Sequence, residues 1–275
     1  MATTAFIPKI WSARLLAHLD KAHVFKQVVN TDYQGDVTKG GSVQITQIGD
    51  ITVKDYSRTA SIDSPENIDG SALVLNIDQE KYFNFKVTDV DQLQSAPSLM
   101  DAAMQRAAYA LADTADSYIA GLYTGAGTTI TKTDIGHASG DNPAYDLIIE
   151  VDQKLNEKNA SRVGRWMVVP PWMHAELMLD ETYKQSWQNY IVTGQIPTVS
   201  GIQILMSNNL VVDTLAYEML AGTREAISYA EQIMSMEAYR PESGFEDAVK
   251  GLHVYGAKVV QPNSLVRITG TRSTD

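Results

Sequence analysis

The chain has 275 residues, 44% of them hydrophobic, with 22 basic and 33 acidic side chains and a formal net charge of −11. That length and apolar content supply a core for one large domain or two ordinary ones and exclude wholesale disorder. The chain has no cysteine, which excludes disulfides, thiolate nucleophiles and Cys-ligated metals, and no basic run marks a dedicated nucleic-acid binder.

The opening MATTAFIPKIW lacks the unbroken apolar stretch of a signal peptide. No window reaches the ~18 apolar residues of a membrane span. Residues 1–32 read as an arm. Ile10, Trp11, Leu15, Leu16 and Leu19 fall on one side of a short helix after Pro8, and Val24, Phe25, Val28 and Val29 follow. So much apolar surface must dock, either in a core of the same domain or on a neighbouring subunit.

Residues 33–92 read as β. Val43 and Ile45 alternate with polar residues, Gly49-Asp50 turns the chain, and Ile51 and Val53 resume the pattern. After a polar interval from Arg58 to Ser71, the alternation returns at Leu73, Leu75 and Ile77, then at Phe83, Phe85 and Val87. Period-2 patterning between Gly, Asp and Pro predicts half-buried antiparallel strands. Their long connection predicts an extended hairpin projecting from the body. Two strands alone bury too little to be stable in water, so the hairpin needs a partner to lie on.

The stretch Ser98–Tyr123 predicts a long helix. Met100, Met104, Ala107, Leu111, Ala115, Tyr118 and Leu122 repeat at steps of three and four, while Asp101, Gln105, Arg106, Asp113, Asp116 and Ser117 form the wetter face. Ser98 supplies a cap and Gly121 a stop. About 25 residues give roughly 37 Å, which suits a rigid spine for a plate-like subunit. A long core helix of an ordinary enzyme is the competing reading.

Gly125 to Pro143 is rich in Gly, Thr, Ser and Asp and reads as loop. Leu147, Ile148, Val151 and Leu155 then predict a helix over Tyr145–Asn156. Trp166–Val169 is a strand that stops at Pro170-Pro171, and a helix follows because Pro is tolerated in a first turn. Tyr183–Thr198 reads as an exposed excursion. Gly201–Met206 is a buried strand, and Val211, Val212, Tyr217, Met219 and Leu220 suggest more sheet. Ile227–Met236 fits strand or helix equally. Leu252, Val254, Tyr255, Val259, Val260, Leu265, Val266 and Ile268 make closing strands around Pro262.

Chemistry-bearing motifs are few. His18, His23, His137, His174 and His253 lack the i, i+4 spacing of a zinc-binding helix. The Gly35–Ser42 stretch resembles a phosphate loop but has Gly41 where the lysine belongs. Gly125-Ala-Gly127 begins a dinucleotide fingerprint that Ile130 breaks. Asp89 and Asp91 read as a solvated strand end, and no GxSxG elbow occurs. No catalytic, cofactor-binding or metal-ligating residue is assigned.

Taken together, arm, hairpin, spine helix, mixed domain and closing strands resemble the major capsid proteins of tailed bacteriophages, the Hong Kong 97-type shell fold. The stretches that carry the resemblance are FIPKIWSARLL (Phe6–Leu16), IGDITVKDY (Ile48–Tyr56), Leu99–Tyr123, RWMVVPPWMHAEL (Arg165–Leu177) and GLHVYGAKVVQP (Gly251–Pro262). The resemblance implies an α+β subunit that is no enzyme. Its expected parts are an N-terminal arm (1–32), an extended β-hairpin or E-loop (33–92) and a peripheral P-domain containing the spine helix (93–144). An axial A-domain (145–248) and return strands of the peripheral domain (249–275) complete it.

It further implies assembly with itself into pentamers and hexamers, through a precursor shell that later expands around double-stranded DNA in a virion capsid. Assembly is expected in the host cytoplasm, away from any membrane. A separate scaffolding protein, a portal and a decoration protein are the implied partners. Met1 directly precedes the arm, so an attached scaffold is expected to be absent. The acidic balance implies DNA held by confinement and counterions rather than by a protein groove. One relative cross-links its shell through a Lys and an Asn; Lys54 and Asn263 occur here, with nothing to juxtapose them. Trp11, Arg14, Lys54, Asp55, Arg58, Glu237 and Arg240 are the candidate inter-subunit contacts. Alternatives are an encapsulin-like compartment enclosing enzyme cargo, another virion component such as a tail protein, or an α/β enzyme with a diffuse active site.

Overall fold

In the computed structural model the described residues are 24–33, 41–48, 51, 53, 56, 70–88, 98–136, 142–180, 198–241 and 246–273. The arm before Val24, the interval 57–69, Asp89, Asp91, His137 and the excursion 183–197 lie outside them.

The long helix forms as α1 (Ser98–Ala120), 23 residues and about 34 Å, and tightens into a 3-10 turn at Gly121–Gly125. Its buried row runs through Met104, Ala108, Leu111, Ala112, Ala115 and Ile119. That row is turned one residue from the predicted face, and it carries Asp116 with it. Asp116 was expected on the wetter side, yet it is only 2% exposed. It falls one turn beyond Ala112, where backbone donors from residues 24–25 meet it.

Alongside α1 lies an antiparallel sheet of long strands, in the order β10 (Ile227–Tyr239), β11 (Glu246–Val259), β3 (Gln79–Thr88). Met104, Ala108, Leu111 and Ala112 pack on Val249, Phe83, Phe85 and Met236. Strand β3 therefore pairs with β11, with Phe85 opposite Val249, rather than extending the hairpin. The ambiguous segment from Ile227 is strand β10. Its β-branched and aromatic residues gain ladder bonds to β11 that a helix would forgo.

The hairpin consists of β1 (Ser42–Ile48) and β2 (Gly70–Asn76), paired antiparallel with Val43 opposite Leu75 and Ile45 opposite Leu73. Its root does not hang free. Val43, Ile45 and Leu75 are buried with Ala230, and Lys258 Nζ donates to the Val74 carbonyl at 2.8 Å. Gly256 permits this approach, because a Cβ there would collide with the Asn76 carbonyl oxygen.

The second large sheet has seven strands. Its path is β5 (Asn142–Pro143), β4 (Thr128–Gly136), β12 (Leu265–Arg272), β9 (Ala216–Thr223), β6 (Arg165–Val169) and β7 (Ile202–Met206), with β8 (Val211–Asp213) beside β9. The pairs β12–β4 and β6–β7 are parallel, and β9 runs antiparallel to β12 and β6. Strand β4 overturns the loop expected over Gly125–Pro143. Its threonines are β-branched and suit a pleated surface, and Ile130 and Ile135 turn into the core.

Helices α2 (Ala144–Glu157) and α3 (Pro171–Leu179) pack on this sheet. The sheets cut across the expected boundaries at 145 and 249. Strands β4 and β12, assigned by sequence to the peripheral part, share one sheet with β6 and β7, while β10, assigned to the axial part, belongs to the long sheet. Strand pairing is set by partners far apart in the chain, which contiguous segments cannot express.

Candidate functional site

Among the described residues, the side chains that matter most are those holding the projecting parts of the chain. The chain emerges from the arm at Val24 and makes a 3-10 turn, Phe25–Gln27. Phe25 is fully buried, edge-on to Trp166 of β6 with ring centroids 6.2 Å apart. Val28 and Val29 join the same core, so this part of the arm docks in its own subunit.

Polar groups fix that root. The Asp116 carboxylate accepts the backbone N–H groups of Val24 and Phe25, both at 3.3 Å. Burial pushes its carboxyl up to about 6, against the lowering by those two donors. One turn on, Lys26 Nζ donates to Glu231 Oε1 at 2.6 Å, and the Tyr229 hydroxyl donates to Glu231 Oε2 at 2.6 Å. The fully buried His253 sets its Nε2 3.4 Å from the same oxygen. Burial raises Glu231, yet the contacts from His253, Lys26 and Tyr229 outweigh it and hold the carboxyl at about 2. Tyr229 moves the other way, its phenol held well above the usual range by burial and by the Glu231 charge.

Past β1, Ile51, Val53 and Tyr56 are 67%, 93% and 73% exposed. The outer face of the long sheet carries a polar lattice instead. Lys250 pairs with Glu237 directly across the strands at 2.8 Å, and its ammonium lies 5.1 Å from the Tyr239 ring centroid. Lys86 pairs with Glu246 at 2.9 Å, and Tyr239 shares hydrogen bonds with Asn84.

The candidate contacts divide accordingly. Trp11, Arg14, Lys54, Asp55 and Arg58 lie outside the described residues. Glu237 sits on the outer face and Arg240 just past the end of β10, each already near an opposite charge of its own chain: Lys250 for Glu237, and Asp247 at 3.9 Å for Arg240. Asn263 lies in the 3-10 turn Pro262–Ser264. Among the described residues no group of three or more His, Asp or Glu could hold a metal ion. Sequence reasoning missed Asp116 and Glu231. The signal for Asp116 was present, since the row Met104, Ala108, Ala112 leads to it in steps of four.

The model for the family described as phage capsid protein matches residues 72–268, more than half of the chain. A solved structure from Mycobacterium phage Che8 is 32% identical, with 90% of each chain covered and a TM-score of 0.72. This chain belongs to the phage capsid protein family. The capsid of cyanophage P-SCSP1u matches at 17% identity, covering 92% of this chain and 89% of that one, also with a TM-score of 0.72. A virus-like particle from Pyrococcus furiosus matches at 15% identity over 96% and 99%, with a TM-score of 0.57. Those two likenesses bear on the fold, which is the Hong Kong 97 type. Comparison with curated protein sequences returns no match. The phage capsid protein is thus a structural component of a virion shell, and its contact surfaces are its working parts.

Proposed function

We propose that this chain is the major capsid protein of a tailed phage, assembling through pentamers and hexamers into an icosahedral shell around double-stranded DNA. The observation that carries the reading is the hairpin. Its root is buried in its own subunit, while Ile51, Val53 and Tyr56 beyond it expose apolar surface. Exposed apolar residues grouped in this way mark a surface that a partner covers. A second copy supplies that cover in a shell, and burial of roughly 1,200–2,000 Å² per contact is the usual scale. Each contact is allowed to be weak, because a closed shell multiplies them.

In this reading the spine helix and the long sheet form the peripheral region, and the seven-stranded sheet forms the axial one. Trp11, Arg14, Lys54, Asp55, Arg58, Glu237 and Arg240 are the inter-subunit contacts, the charged ones setting register. A separate scaffolding protein directs assembly in the host cytoplasm, a portal occupies one vertex, and a decoration protein binds the finished shell. The chain's net charge of −11 fits DNA held by confinement rather than by a groove.

Expression of the full chain with and without its scaffolding protein, followed by electron microscopy, tests the proposal. Closed icosahedral particles are expected. A chain that stays monomeric under both conditions sinks it. Charge reversal of Arg58 or Arg240 with unchanged assembly removes that residue from the contact set.

A further inference from the structure

The roots of the arm and of the hairpin dock on opposite faces of one short piece of the β10–β11 ladder. There Tyr229 pairs with Ala257, Ala230 with Gly256 and Glu231 with Tyr255. Successive side chains of a strand point to opposite faces. Tyr229, Glu231 and Tyr255 face α1 and the arm. On that side Lys26 Nζ meets Glu231 at 2.6 Å, and the Tyr118 ring stands edge-on to Tyr255 with centroids 5.5 Å apart. Ala230 and Gly256 face the hairpin. Ala230 is buried with Val43, Ile45 and Leu75, and a Cβ on Gly256 would collide with the Asn76 carbonyl.

The arm segment itself joins the two faces. From Lys26 on the helix side the chain bends round the edge of β10. At that edge the Asn30 N–H donates to the Ile227 carbonyl at 2.9 Å, and the Tyr229 N–H donates to the Asn30 carbonyl at 2.8 Å. The chain then reaches the other face, where Tyr33 packs against the hairpin cluster. A second link runs from the hairpin back to the helix. Strand β2 ends at Asn76 and β3 begins at Gln79. Asp78, in the connection between them, accepts the Tyr118 hydroxyl at 3.4 Å.

One strand pair thus carries both docks, with its own backbone between them. Close-packed interiors transmit displacement, and coupling travels through contiguous contacts of this kind. We propose that residues 24–33 and the root of the hairpin open and close as one cooperative unit, clipped over the edge of β10. Loosening either root loosens the other, and by linkage ordering either steadies the other. The coupling belongs to the single subunit and does not rest on the shell reading. Under that reading, a neighbouring copy that covers the hairpin also fixes the arm's point of departure.

Hydrogen exchange of the unassembled full chain tests this. Ile45→Ala perturbs the hairpin root and is expected to speed exchange at Val28, Val29 and Asn30 by about threefold or more. Lys26→Met perturbs the arm root and is expected to do the same over 42–48 and 70–76. The amides of Lys158, Asn159 and Ala160, at the C-terminal end of α2, keep their wild-type rates. Exchange that rises only on the substituted side overturns the proposal. A rise that reaches the α2 amides equally also overturns it, since the two roots are then no unit of their own. Should either variant fail to fold, Ile45→Val and Lys26→Gln are read in the same way. Particle formation plays no part in the measurement, so a negative result leaves the shell reading standing.

Discussion

The Asp116 carboxylate, near the C-terminal end of the spine helix, accepts the backbone N–H of Phe25 at 3.3 Å. A side chain ninety-one residues later in the chain thereby fixes the point from which the arm departs. Burial raises this carboxyl to about 6, whereas an ordinary Asp titrates near 3.8. The folded subunit holds the proton more tightly than the unfolded chain does. The stabilisation is therefore fully present below 3.8 and is lost as pH rises through about 6. Asp116→Asn is expected to flatten that part of the stability profile of unassembled subunits, and to leave stability at about pH 7.5 undiminished. Thermal unfolding across pH checks it. Asp116→Leu, which strands the two donors, should cost about 1–3 kcal/mol.

Glu231 behaves oppositely. Its carboxyl sits at about 2 against an ordinary 4.5, so its stabilisation is present above 4.5 and is lost as pH falls through about 2. Lys26→Met leaves Glu231 buried with one donor fewer. The expected cost near neutral pH is about 3 kcal/mol, and the gap from wild type should close as acid protonates the carboxyl. Urea unfolding at several pH values measures both.

Between β9 and β12, Arg267 grips Glu218 with two bonds of 2.6 and 2.7 Å, while Thr269 donates to the same carboxylate at 2.9 Å. The guanidinium also lies 4.6 Å from the Tyr123 ring centroid, tying the end of the spine helix to the sheet. Lysine cannot reproduce a planar fork or this stacking. Arg267→Lys is expected to destabilise the subunit by about 1–2 kcal/mol and Arg267→Ala by about 3 kcal/mol, read as shifts in the denaturation midpoint.

Gly256→Ala tests the hairpin root. Its Cβ would collide with the Asn76 carbonyl and the Ile77 backbone, neither of which yields as a flexible side-chain end would. A cost of about 1–3 kcal/mol is expected, with hydrogen exchange rising first over 42–48 and 70–76. Unchanged exchange there would show that the hairpin root does not depend on this close approach.

The amino-acid sequence by itself determined the elements whose evidence is local. The three-and-four spacing from Met100 to Leu122 marks the spine helix, Pro170-Pro171 separates β6 from α3, and the alternation at Val43, Ile45, Leu73 and Leu75 marks the hairpin. Each pattern shows the two faces of a single segment, and such patterns in this order already resemble the capsid family. Tertiary structure alone decided which segments pair: β3 with β11, β12 between β4 and β9, β10 away from the strands that precede it. It also turned a threonine-rich stretch into a strand and Asp116 into a buried anchor. Periodicity says that a face will be covered. Only the folded chain says by what, because strand edges and buried carboxylates take their partners from residues distant in the sequence, ninety-one positions apart for Asp116 and Phe25.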